Sequence, residues 1–202
     1  MKTFLKFIGI VILLTIVFVL VAGLFIPQKY HFEKSITINT SKEEIWKNIT
    51  LFSNYEKWEP WAAHDPKMQR TITGADGAPG ATYSWHGNDK VGSGSQTFIE
   101  LAPYDHVNIA LQFKEPMQRN ALVTYTLKPD GKGYKVTWAF DTKFHYPLNA
   151  VMNLFISMDK NLNNDFSTGL ANLKKLCESN ATYTASNLNT TFISLKKIDT
   201  FN

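Results

Sequence analysis

The chain has 202 residues, a single cysteine and a formal net charge of +4. Most of that charge lies near the ends: from Lys29 to Glu178 there are 17 basic and 16 acidic residues, and only Arg70 and Arg119 are arginines. So neutral a domain excludes nucleic acid as its ligand, and the lone Cys177 excludes an internal disulfide and any multi-cysteine metal site.

Twenty uncharged residues run from Phe7 to Ile26 (FIGIVILLTIVFVLVAGLFI). At about 1.5 Å per residue, a helix over this run covers roughly 30 Å, the thickness of a bilayer's hydrocarbon core. Besides a buried core helix, a cleaved signal peptide is the competing reading. Its apolar stretch is shorter, about 7 to 15 residues, and ends at a small-x-small site, whereas Ala22-Gly23 is followed here by Leu24, Phe25 and Ile26. The segment is therefore read as an uncleaved single-pass anchor, closed by Pro27, with Tyr30 at the interface. Lys2 and Lys6 before the span nearly balance Lys29, Lys34 and Lys42 after it. A short, acid-free N-terminus inside with an extracytoplasmic domain is the preferred orientation.

The boundaries expected are an anchor over 1–28, one domain over 29–178 and a polar, disordered tail over 179–202. Within the domain, Phe32, Ile36 and Ile38 alternate over Tyr30–Asn39, as in a first strand. Ser41 with Glu44 three residues on forms a capping box for a short helix carrying Ile45, Trp46 and Ile49. Pro60 and Pro66 interrupt the aromatic-rich stretch that follows. From Gln69 to Thr142 the period is two, with turn signals between strands near 69–73, 81–86, 92–101, 106–113, 118–128 and 133–142. Each strand has one dry face, as in an antiparallel sheet covered on one side. The cover is a helix expected from Pro147 to Glu178, with Leu148, Met152, Phe155, Leu162, Phe166, Leu170 and Leu173 at spacings of three and four. Asp159 falls on this stripe and is read as a kink, a water-lined patch or a helix edge rather than a catalytic acid.

The segments NYEKWEPW (54–61), GATYSWHGN (80–88), VGSGSQTF (91–98), KVTWAFD (135–141) and DFSTGLANLK (165–174) together resemble the START-like, or SRPBCC, superfamily. The branch most similar is the bacterial polyketide cyclase/dehydrase and lipid transport proteins, over residues 30–178. The resemblance implies an α+β helix-grip fold, in which a curved antiparallel sheet wraps a long C-terminal helix. It also implies a deep hydrophobic cavity between the two.

The residues support a cavity on their own. Tyr83 and Trp85 share a strand face, Phe98 lies on the next strand, Trp138 and Phe140 share another face, and Trp58 and Trp61 lie three apart where they would form a rim. With Phe155 of the last helix, these eight are the candidate ligand-binding residues; drug-sized apolar ligands sit in pockets of this composition. The competing reading makes them plain core. No catalytic residue, metal ligand or cofactor is assigned. The five histidines lack metal-ligand spacing, and Gly92-Ser93-Gly94 reads as a bulge rather than a nucleotide loop. His64, Asp65 and His86 neighbour the tryptophans, where an acid or base facing the cavity is conceivable.

Three functions follow from these residues. The preferred one is a membrane-tethered binding module for a lipid or other hydrophobic small molecule, because the anchor keeps the cavity beside an apolar reservoir. The alternatives are a cyclase/dehydrase-type enzyme acting on a polyketide-like substrate, and a non-catalytic interaction protein whose core is filled.

Overall fold

The computed structural model describes residues 1–156 and 158–199, with side chains up to residue 180. Helix α1 (Lys2–Phe25) exposes its apolar side chains almost throughout; of its residues only Gly23 is buried. It is long and apolar enough to cross a membrane.

Seven strands follow: β1 (Lys29–Ile38), β2 (Gln69–Thr73), β3 (Thr82–His86), β4 (Ser93–Ala102), β5 (His106–Glu115), β6 (Arg119–Asp130) and β7 (Gly133–Lys143). They form one antiparallel sheet in the order β1-β7-β6-β5-β4-β3-β2. The period-two reading lands in register: Val107, Ile109 and Leu111 of β5, Val123, Tyr125 and Leu127 of β6, and Val136, Trp138 and Phe140 of β7 all point into the core. Between β1 and β2 lie α2 (Lys42–Thr50), a 3-10 turn (Phe52–Lys57) and α3 (Trp61–His64). The Ser41 hydroxyl accepts from the Glu44 amide at 3.3 Å, capping α2 as its sequence predicts. Asp76 closes the next element, its carboxylate accepting from the amides of Phe52 (2.8 Å) and Ser53 (3.0 Å).

The last helix departs from expectation. Instead of one rod from Pro147 there are two helices, α4 (Leu148–Phe155) and α5 (Met158–Asp199), parted at Ile156, whose backbone is extended. The reason is packing: α4 lies against α1, whereas α5 runs along the sheet and β1. A single straight helix cannot serve both surfaces. Asp159 thus falls in the first turn of α5, where a carboxylate suits the positive end of the helix dipole, and it accepts from the Tyr30 hydroxyl at 2.5 Å. At the other end the helix continues past Glu178 to Asp199, beyond the point where the polar tail was expected to begin. Residues 179–199 contain no glycine or proline to stop it.

The sheet curls around α5, with Phe166, Leu170, Leu173 and Cys177 buried against it. Lys174 donates to the Thr37 carbonyl at 2.6 Å and to Glu178 at 2.8 Å, and Glu178 accepts from the Asn39 amide at 2.8 Å, fixing the helix to the end of β1. This is the helix-grip arrangement.

Candidate functional site

The segment between α2 and β2 builds one wall of the interior. Tyr55 donates its hydroxyl to the Ile49 carbonyl (2.9 Å), and Trp58 donates Nε1–H to the Asn48 carbonyl (3.1 Å). Both rings are thereby pinned to the end of α2, and both are almost fully buried. Pinning Trp58 turns the next residues, Glu59 and Trp61, toward the space between sheet and α5. On the opposite side, Gly94 of β4 makes room for Trp85: a Cβ at Gly94 would lie 2.5 Å from the indole. Trp85 donates Nε1–H to the Val91 carbonyl at 3.1 Å, which closes the β3–β4 turn over the rim.

What remains between these walls is a cavity of two lobes, about 250 Å³ and about 140 Å³. Trp61, Gln96, Leu111, Phe113 and Leu162 border both lobes and form the neck. The larger lobe lies under Val123, Tyr125, Trp138, Phe140 and Phe166 and is overwhelmingly apolar. Together the lobes fall near the lower end of the range for small-molecule sites, about 300 to 1,000 Å³. Three wider recesses, about 650, 540 and 530 Å³, are lined mostly by exposed or half-buried residues, the first two beside α4 and the third on the outer face of the sheet.

Polar groups are few: Gln96 borders both lobes, Glu59, Tyr83 and Asp165 the smaller, and Glu115 and Arg119 the larger. Glu59 is 5 % exposed; its Oε1 accepts from the Tyr83 hydroxyl at 3.1 Å and from Arg70 Nε at 3.4 Å. Burial pushes the Glu59 carboxyl above the ordinary carboxylate range, while the Tyr83 and Arg70 hydrogen bonds pull it down. Burial, with the Glu59 charge beside it, likewise raises the Tyr83 hydroxyl. Gln96 shares this face because it pairs with Tyr83 across β3 and β4. In the larger lobe Trp138, 2 % exposed, carries an indole Nε1–H with no acceptor.

The eight candidate residues divide into three groups. Trp61, Tyr83, Trp85, Trp138 and Phe140 line the lobes. Trp58 and Phe98 lie behind the wall: Trp58 packs edge-on to Trp138 at 5.7 Å, and Phe98 stacks on Phe52 at 3.9 Å. Phe155, at the end of α4, is 61 % exposed and borders an outer groove. Trp58 and Trp61 both meet Trp138 edge-on, the latter at 5.8 Å, while Trp85 contacts Tyr83 and Phe113 instead. The four tryptophans thus form three plus one rather than one closed cluster.

The residues singled out for acid–base work are not assembled. His64 approaches Asp165 at 3.6 Å, His86 is exposed at the end of β3, and Asp159 is bound to Tyr30. Asp65 holds the rim together, accepting from the amides of Asn88 (2.7 Å) and Lys67 (3.0 Å). Among the described residues, no group of three or more His, Cys, Asp or Glu is placed to hold a metal ion. Glu59 and Gln96 are the polar residues that sequence reasoning missed. The signals were present: Glu59 sits between Trp58 and Trp61, and Gln96 is two residues from buried Phe98 in a strand.

Comparison with solved structures gives the same architecture. Protein CV1439 from Chromobacterium violaceum matches with a TM-score of 0.55 at 13% identity, covering 73% of this chain and 96% of that one. Protein MLL2253 from Mesorhizobium loti matches at 0.54 and 14%, covering 74% and 98%. The Aha1 dimer from Colwellia psychrerythraea matches at 0.52 and 18%, covering 74% and 96%. At these identities the likeness is one of fold. Among curated proteins, none matches the chain. Residues 29–178 match the profile of the family described as polyketide cyclase/dehydrase and lipid transport. That match spans most of the chain and agrees with the helix-grip fold and its interior cavity, and the chain therefore belongs to this family.

Proposed function

We propose that the chain is a membrane-tethered binding protein that holds a lipid or other hydrophobic small molecule between its sheet and α5. The observation that carries this reading is the two-lobed cavity, mostly apolar in its lining, with Glu59, Tyr83, Gln96 and Asp165 at the smaller lobe and Glu115 and Arg119 at the larger. Burying roughly 300 Å² of apolar ligand surface contributes about 7.5 kcal/mol at 25 cal/mol per Å², before the cost of association. The unpaired Trp138 Nε1–H favours a ligand that also carries an oxygen acceptor, because a buried donor without a partner costs about 1 to 3 kcal/mol. Helix α1 serves as the single-pass anchor that keeps the domain at an apolar reservoir, with Met1–Lys6 inside and residues 29–178 outside the cytoplasm.

A second reading rests on Glu59. A buried carboxyl with a raised pKa, beside a tyrosine hydroxyl and facing a ligand cavity, is equipped for proton transfer in a cyclase- or dehydrase-type reaction. Titration of the detergent-solubilised full chain with a fluorescent fatty acid separates binding from its absence. Saturable binding that Leu162→Trp abolishes by filling the neck supports the binding protein. Binding unchanged in that variant places the probe elsewhere and overturns it.

A further inference from the structure

From Phe144 to Met158 the sequence FHYPLNAVMNLFISM contains no lysine, arginine, aspartate or glutamate. No other stretch of the domain runs as long without charge, the next being residues 77–88; this one is α4 and its flanks. Leu154, Phe155 and Ile156 are 42, 61 and 41 % exposed. The same helix is bound to the end of α1. Asn149 donates Nδ2–H to the Gly23 carbonyl at 2.8 Å and to the Ile26 carbonyl at 2.7 Å, satisfying carbonyls that the helix end leaves open. Tyr146 covers Gly23 so closely that a Cβ there would lie 3.1 Å from its ring. Gly23 is three residues from Ile26, which at 1.5 Å per residue puts this contact about 5 Å inside the end of the apolar run. Lysines stand on both sides of α4, Lys143 in one flanking groove and Lys29 and Lys160 in the other.

We infer that α4 is an interfacial helix, with Leu154, Phe155 and Ile156 inserted into the leaflet in which α1 ends and the flanking lysines at its phosphates. This surface rests on the membrane-tether reading of α1 and adds to it a defined docking of the domain. An amphipathic element seated at headgroup depth has this composition: apolar on one side, cationic at its borders. The docking has a consequence for the cavity. Phe144, Met152 and Met158 separate the larger lobe from the groove that Pro27, Tyr30 and Phe155 border. Among the described residues these three side chains, two of them flexible methionines, border both the bilayer-facing groove and the interior, and a ligand entering between them does not cross water.

The test uses the full chain reconstituted in vesicles of phosphatidylcholine and phosphatidylglycerol, labelled with a polarity-sensitive fluorophore at Phe155→Cys, Ile99→Cys or Leu13→Cys. Ile99 is 55 % exposed on the sheet, and Cys177 is buried and does not compete for the label. The expected result is a blue-shifted emission at positions 155 and 13, quenched by doxyl lipids, and a solvent-like, unquenched emission at position 99. Position 155 as solvent-like as 99, with position 13 quenched, overturns the interfacial helix and leaves the anchor standing. Position 13 unquenched as well overturns the tether reading, and the docking with it.

Discussion

Trp138 and Phe166 stack with ring centroids 4.0 Å apart and planes 14° from parallel, joining the middle of β7 to the gripped helix. Three residues further along α5, Gly169 leaves the space this needs, since a Cβ there would lie 2.8 Å from the Trp138 ring. Truncating a large buried aromatic costs about 3 to 5 kcal/mol. Trp138→Ala is therefore expected to lower the unfolding free energy by that amount in denaturant titrations. A fully stable Trp138→Ala protein contradicts the packing described here.

Core and cavity residues are expected to separate by phenotype. Phe98, stacked on Phe52 behind the wall, affects stability when replaced by alanine, by about 3 to 5 kcal/mol, without changing affinity for an apolar probe. Trp61 borders both lobes and is only partly buried; Trp61→Ala weakens probe binding roughly tenfold, about 1.4 kcal/mol, with a smaller loss of stability. Parallel denaturation and probe titrations check both.

Glu59 gives the domain a pH dependence of defined sign. Its carboxyl is raised from the ordinary 4.5 by burial, so the folded state binds a proton more tightly than the unfolded chain does. Its contribution to stability is complete below the unfolded pKa and declines as pH rises from there through the folded value. Glu59→Gln removes this decline. The check is the difference in unfolding free energy between parent and variant from acid to neutral pH; a difference that is flat, or that moves in the parent's favour as pH rises, refutes the assignment.

Cys177 is buried, and its thiol is pushed up to about 12, chiefly by burial with Glu44 adding to it. Thiolate is the reactive form, so iodoacetamide at pH 8 leaves the folded chain unmodified and labels it at once in denaturant. Rapid labelling of the native protein, read by mass shift, contradicts this burial.

The sheet was legible because its central strands carry their own proof: Val107-Ile109-Leu111 and Val136-Trp138-Phe140 can alternate only if one face is dry, whereas the edge strand β2 buries none of its residues. The break at Ile156 was legible only through Asp159, whose place on the apolar stripe marked a helix edge; Leu148 to Leu173 otherwise keeps one helical period on both sides of it. Only the presence of α1 beside α4 shows why the rod divides. Periodicity also states which face a residue occupies but not how far across the interior it reaches. Phe98 and Gln96 therefore look alike in register, yet one fills the core and the other borders the cavity. Phe155 follows the same limit: its spacing fits the buried stripe, but the break turns it outward toward the groove at the end of α1.

The central claim is an apolar ligand in the cavity of a tethered domain. Its most direct test is native mass spectrometry of the full chain, extracted from cells in polymer-bounded membrane discs, followed by organic extraction of whatever co-purifies. The parent chain is predicted to carry a stoichiometric apolar adduct that Leu162→Trp loses. A parent mass free of adduct, unchanged after incubation with a lipid extract, would contradict the claim and favour an interaction protein whose core is filled by its own side chains.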